Sequence, residues 1–165
     1  MGSSGVYLND HLAGATAGIR LAKRCRDRSA PTAVQAMLDA VVAELEEDRI
    51  TLEHVMEAAG VQPDRRKQVA ATAVEVASRL AHVLPVIGTR SRIVADLEDI
   101  EVLSLGIEGK RLLWAALRQA ARRDERFQRF DFGSLEDRAG AQRARVERVR
   151  LELALRALGR SPVER

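Results

Sequence analysis

Five residues of this 165-residue chain have the types and spacing to do chemistry together: Asp48, Glu101 and Glu108, with Asp10 and His11. Asp48 interrupts an otherwise apolar helical stripe of Val34, Leu38, Val41, Leu45, Leu52, Val55 and Ala59, and Glu44 lies one turn before it. Glu101 and Glu108 stand two turns apart on a stripe with Leu97, Leu105, Leu112 and Ala115. Carboxylates turned inward from facing helices suit a hard divalent cation, which takes several oxygen ligands and compensates charge that is costly to bury. On that reading Asp48, Glu101, Glu108, Asp10 and His11 are candidate ligands of Fe or Mn in an atypical metal-binding or oxidative-stress protein. The departure from a di-iron bundle is large. Such sites place Glu three residues before His on two helices, whereas Leu8, Thr51 and Arg79 hold that place before His11, His54 and His82. The competing reading pairs the inward acids with Arg49, Lys110 or Arg111 as structural ion pairs that set helix register. The residue types favour it, and no catalytic or cofactor-binding residue is assigned.

Other motifs carry less. GIEGKR at 106–111 contains part of a phosphate loop, but Ser104 replaces the first glycine, Arg111 replaces the Ser or Thr, and the stretch lies within a helical pattern whose amides are not free. Cys25 is the one cysteine, which excludes an intrachain disulfide, and its arginine-rich neighbourhood reads as a half-buried small core residue before it reads as an activated thiol. RLAKRCRDR and RAGAQRARVERVR are basic, and Arg138, Arg143, Arg145, Arg148 and Arg150 could meet phosphates. Acids are interleaved throughout, however, and no aromatic stacking platform accompanies them, so a solvated face is expected and nucleic acid is not.

The elements that must position these residues are helices. Aromatics make up 3% of the chain against 46% hydrophobic residues, so the core is built from Leu, Val, Ile and Ala. A first helix over residues 7–28 carries Leu8, Leu12, Ala15, Ile19 and Ala22 at alternating spacings of four and three. Asn9 or Asp10 is expected to cap it, and Gly14 and Gly18 with their alanine neighbours offer a face that a second helix can approach closely, within the chain or across a dimer. Ser29 and Pro31 close that helix and start the next, which runs to Ala59 and ends at Gly60. Val69, Ala73, Val76, Leu80 and Val83 form a further segment before LPVIGTRS breaks the pattern. A helix from about Ser91 to about Arg123 has a second apolar face of Ile93, Ile100, Ile107 and Trp114. Phe127, Phe130 and Phe132 are expected as plugs beyond it, and Ser134 as the cap of a last helix with the stripe Leu135, Ala139, Gln142, Val146, Val149, Leu153 and Ala157, closed by Gly159 and Pro162.

The fold class these patterns predict is all-α: an antiparallel four-helix bundle of ferritin-like type with an extra helical segment between the second and third main helices. Residues 7–159 form one domain, with flexible ends at 1–6 and 160–165. Charge is mixed, 27 basic residues against 24 acidic for a formal +3, and only Lys23, Lys67 and Lys110 among the basic residues are lysines. No signal peptide and no long apolar run is present, so the expected location is cytoplasmic, away from membranes.

The blocks YLNDHLAGATAGIRLAKR, ELEEDRITLEHVMEAAGV and LSLGIEGKRLLWAAL resemble a family of uncharacterised bacterial helical proteins associated with ferritin-like bundles. The resemblance covers Tyr7 to about Leu117. It implies a fold, a shared role for Asn9, Asp10, His11, Asp48 and Glu108, and no established activity. The function expected from the whole is a non-enzymatic interaction or self-associating protein, with a homodimer and an unknown protein partner as its contacts.

Overall fold

A computed structural model describes residues 2–29, 33–64 and 91–159. Among them are four long helices and no strand: α1 (Ser3–Arg28), α2 (Ala33–Ala58), α3 (Arg92–Ala120) and α4 (Phe132–Leu158), with a short 3-10 turn at Glu125–Phe127. Pro31, the stripe from Val69 to Val83, the LPVIGTRS break, Pro162 and the tail at 160–165 lie outside the described residues.

The apolar stripes of α1, α2 and α4 fall where the spacing puts them. Leu8, Leu12, Ile19 and Ala22 are buried on α1, Leu38, Val41, Leu45, Leu52 and Val55 on α2, and Ala139, Val146 and Val149 on α4, all in one core. The helix ends follow from local chemistry. Gly60 takes φ +68°, a left-handed backbone that favours glycine, so its N–H reaches the Glu57 carbonyl and the Val61 N–H reaches that of Met56. At the other junction Trp114 stacks on Phe132, with ring centroids 6.1 Å apart, Phe130 meets Phe132 at 5.7 Å, and Phe127 is buried in the same core, which is the expected aromatic plug.

Three local expectations are corrected. α1 begins at Ser3, with the Gly2 carbonyl accepting from Gly5 and Val6 N–H, so residues 3–6 are helical and Asn9 lies more than a turn inside. Asn9 is therefore not a cap. It is buried, its Nδ2 donates to the Gly5 and Gln62 carbonyls at 2.9 and 3.1 Å, and its Oδ1 accepts from the Asp64 N–H at 2.6 Å, tying α1 to the chain after α2. α4 is capped by Asp131 and not by Ser134: the Asp131 carboxylate accepts from the Ser134 N–H at 3.0 Å and from its hydroxyl at 2.6 Å. The ionised oxygen is the stronger acceptor, and an earlier start places Phe132 in the first turn, against Trp114.

The largest correction concerns α3. The face with Glu101 and Glu108 does not turn into the core: Leu105 is 72% and Leu112 54% exposed. The buried face is Leu97, Ile100, Leu103, Ile107, Trp114 and Leu117, continuing the expected face of Ile100, Ile107 and Trp114. Both faces offer leucines. The choice is made by the acids, because exposing a leucine costs less than desolvating a carboxylate.

Candidate functional site

Asp48 is the one member of the acid set that is fully inward, at 2% exposure. Lys110 of α3 and Arg138 of α4 both donate to it, and the Gln142 Nε2 does so at 3.2 Å. Gln142, wholly buried, turns its amide oxygen to the Lys110 ammonium, so each end of the amide meets its complement. Burial pushes the Lys110 ammonium below its ordinary pKa, while Asp48 pulls it back. One helical turn away, Arg145 pairs with Glu44, and on the other side Arg138 reaches Glu47 at 3.0 Å. The seam between α2 and α4 is thus a ladder of ion pairs. Burial raises the Glu44 pKa, but hydrogen bonds from Arg145 and Gln142 outweigh it and hold the carboxyl below its usual range.

Glu101 and Glu108 stand apart from Asp48, at the margin between α3 and α4. Glu101 meets Arg150 at 3.4 Å, and Glu108 meets Arg111 at 2.8 Å and Arg143 at 3.7 Å. The Arg111 hydrogen bonds hold the Glu108 carboxyl low. Among the described residues no group of three or more His, Cys, Asp or Glu is gathered to hold a metal ion. Of the cations expected to meet these acids, Lys110 and Arg111 do so, whereas Arg49 pairs with Glu53 at 2.6 Å along its own helix. Arg138, Arg145 and Gln142 were not foreseen as partners. Their signal is legible in retrospect: Arg138, Gln142 and Arg145 follow one another on α4 at steps of four and three, which puts them on one helix face, as the step of four does for Glu44 and Asp48 on α2. A second pair of anchors, Arg24 and Arg28 on Asp99, with Arg28 also 3.6 Å from Asp96, joins the end of α1 to the start of α3. Cys25, buried in that corner, has its thiol pushed up to about 12 by desolvation and by Asp99, which makes it a core residue and not a nucleophile.

Asp10 and His11 lie on α1, across a cleft that Asp48 also lines. With Tyr7, Gly14, Ala17 and Gly18 of α1 they border this cleft of about 680 Å³, which faces Val102, Gly106 and Gly109 of α3 and is floored by Leu45 and Leu52 of α2. Among the described residues the glycine faces clasp no helix of the same chain: a Cβ built on Gly14, Gly18, Gly106 or Gly109 would meet nothing within 4 Å. The absence of side chains opens the seam instead of closing it. Trp114, Leu113 and Ile107 form apolar wall at the α3 side, and Lys110 and Asp48 reach the same cleft from the charged seam. His11 packs edge-on to Tyr7 at 4.6 Å between centroids, and its burial lowers its pKa against the opposing pull of Asp10. The Trp114 indole N–H is buried and has no hydrogen-bond partner among the described residues.

No helix among the described residues is long and apolar enough to cross a membrane. The chain matches no protein-family model, no curated protein and no solved structure.

Proposed function

We propose that this chain is a non-enzymatic binding protein built as an antiparallel, ferritin-like helical bundle, in which the acids are structural and the apolar cleft between α1 and α3 receives the ligand. The observation that carries the reading is the division between seams. The carboxylates of the expected metal set on α2 and α3 are matched by Arg or Lys, while the cleft beside them is large, mostly apolar and of the size that small-molecule sites have. Support for the topology comes from the helix ends. Asn9 of α1 holds Gln62 and Asp64 beyond α2, Arg126 beyond α3 donates to the Ala59 carbonyl, and Arg28 at the end of α1 meets Asp96 at the start of α3. Those contacts run α1 against both α2 and α3, with α2 and α3 in the same direction, the order of a bundle with one long crossover. Self-association, the alternative use of an apolar face, would draw on the exposed rim of Tyr7, Val102, Leu105 and Leu112.

The test is a titration with the neutral fluorophore 1-aminoanthracene, alongside elemental analysis of protein purified without chelator or affinity metal. Saturable binding at one site per chain, lost in Gly106→Leu, supports the reading. Near-stoichiometric Fe or Mn that disappears in Asp48→Ala and Glu108→Ala overturns it in favour of a metal protein.

A further inference from the structure

Lysine is the scarce cation of this chain, three residues among 27 basic ones, and one of the three lines the cleft. Lys110 borders it together with Asp48, the carboxylate to which its ammonium donates, and the Lys110 side chain is 12% exposed. A helical side chain leans over the turn that precedes it. Lys110 therefore lies toward Gly106, which is exposed and where a Cβ would meet nothing within 4 Å among the described residues, so position 106 puts no side chain over the lysine. Pairing with Asp48 does not by itself call for lysine. Arg138 donates to the same carboxylate, and arginine keeps its proton under all ordinary conditions. What lysine adds is an amine that can act as a nucleophile, and burial already disfavours its charged form.

We infer, resting on the binding reading above, that the ligand is a largely apolar aldehyde and that the Lys110 Nζ captures it reversibly as a Schiff base, with Asp48 as counter-ion. Asp48 takes one proton from the ammonium, and the freed amine nitrogen attacks the carbonyl carbon. A second proton passes from that nitrogen to the former carbonyl oxygen, the Asp48 proton joins it, and water leaves as the C=N bond forms. One positive charge enters as ammonium and one remains as iminium, with one N–H left on nitrogen. The pairing with Asp48 therefore survives, and the hydrogen bond to Gln142 is the one given up. The body of the ligand lies along Leu52, Leu103, Ile107 and Leu113, an apolar lining that matches it.

The experiment incubates the full chain with 6-methoxy-2-naphthaldehyde, fixes any imine with sodium cyanoborohydride, and locates the adduct by peptide mass spectrometry. Lys23, exposed on α1 and paired with Glu46, is the internal control. The expected result is an adduct that forms about tenfold faster at Lys110 than at Lys23. 2-Methoxynaphthalene, which has the same rings and no carbonyl, should slow the reaction at Lys110 and leave Lys23 unchanged. Lys110→Arg, checked for folding by circular dichroism, keeps a cation on Asp48 and should lose the fast adduct while still binding 1-aminoanthracene. Equal rates at the two lysines, or labelling of Lys110 that 2-methoxynaphthalene does not slow, overturns the inference, and the binding reading stands if 1-aminoanthracene saturates one site per chain. Failure of both the labelling at Lys110 and that titration overturns both. In that outcome a melting temperature lowered in Gly106→Leu assigns the cleft to another occupant: a second copy if the loss depends on protein concentration, residues 65–90 of the same chain if it does not.

Discussion

Between α2 and α4 the helices meet through charge: Glu44, Glu47 and Asp48 face Arg138, Gln142 and Arg145, and Lys110 enters from α3. Between α1 and α3 a cleft is bordered by Gly14, Gly18, Gly106 and Gly109, and among the described residues a Cβ on any of these glycines would meet nothing within 4 Å. The first seam is specified by partners that must coincide in register, because a carboxylate left alone at that depth would be intolerable. The second has no such demand and is held at its margins, by Arg24 and Arg28 on Asp99 at one end. Buried charge fixes where helices sit, and small side chains leave room between them. A protein that needs both a rigid frame and a receptive surface can assign one seam to each.

Breaking the charged seam should have the largest effect. Asp48→Ala leaves Lys110 and Arg138 without their buried partner and should cost about 3–5 kcal/mol in chemical denaturation. Replacing Asp48, Lys110 and Gln142 together by Leu, Met and Leu should recover most of that, because an apolar set of similar volume carries no desolvation penalty. If the single variant is as stable as wild type, the network does not set register.

The tether beside the apolar seam comes next. Asn9→Ala strands the Asp64 N–H and the Gln62 carbonyl and should lower stability by about 1–3 kcal/mol. Asn9→Asp keeps the acceptor but loses the donor, and a stability between the two is expected by thermal melting.

Changes in the apolar seam itself should go the opposite way. Gly106→Ala and Gly14→Ala replace helical glycines where a Cβ meets nothing within 4 Å among the described residues, and each should stabilise by about 0.5–1 kcal/mol. A loss instead would show that the cleft is filled in solution.

The smallest effect is a pH slope that separates the seams. His11, whose pKa burial holds below its ordinary 6.5, is protonated more readily in the unfolded chain. Its contribution is therefore complete above that value and is lost as pH falls beneath it. Glu44 and Glu108 are held below their ordinary 4.5, so theirs persists to lower pH and is lost only as pH falls through the acid range. Melting temperatures from pH 7 to 5 should decline in wild type and less in His11→Gln, with the acid limb below pH 4.5 retained by both. An unchanged slope in His11→Gln would remove His11 from the buried part of the cleft.

Much of the frame was legible in the chain. The stripes on α1, α2 and α4, the Gly60 stop, the aromatic plug, and the pairing of Lys110 and Arg111 with inward or marginal acids follow from spacing and residue type. Asp48 reads as inward because it replaces an apolar residue in a long stripe. The face of α3 was not legible, because leucines line both of its sides and periodicity alone weighs Leu105 like Leu103. Asn9 reads as a cap because a polar residue near a helix start satisfies local amides, but besides the Gly5 carbonyl it meets the Gln62 carbonyl and the Asp64 amide, more than fifty residues away in sequence.

The sequence by itself determined that this protein is helical, which residues of three helices turn inward, and that its acids outmatch no surplus of histidine or cysteine. Those are properties of local periodicity and composition, and each is set within a few turns of chain. Only the tertiary structure decided which carboxylate is buried, which arginines answer it, and that the glycine faces of α1 and α3 border a cleft instead of touching. These outcomes depend on distances between helices, where the desolvation of one charge is weighed against a partner on another element, and no spacing along a single helix encodes that balance.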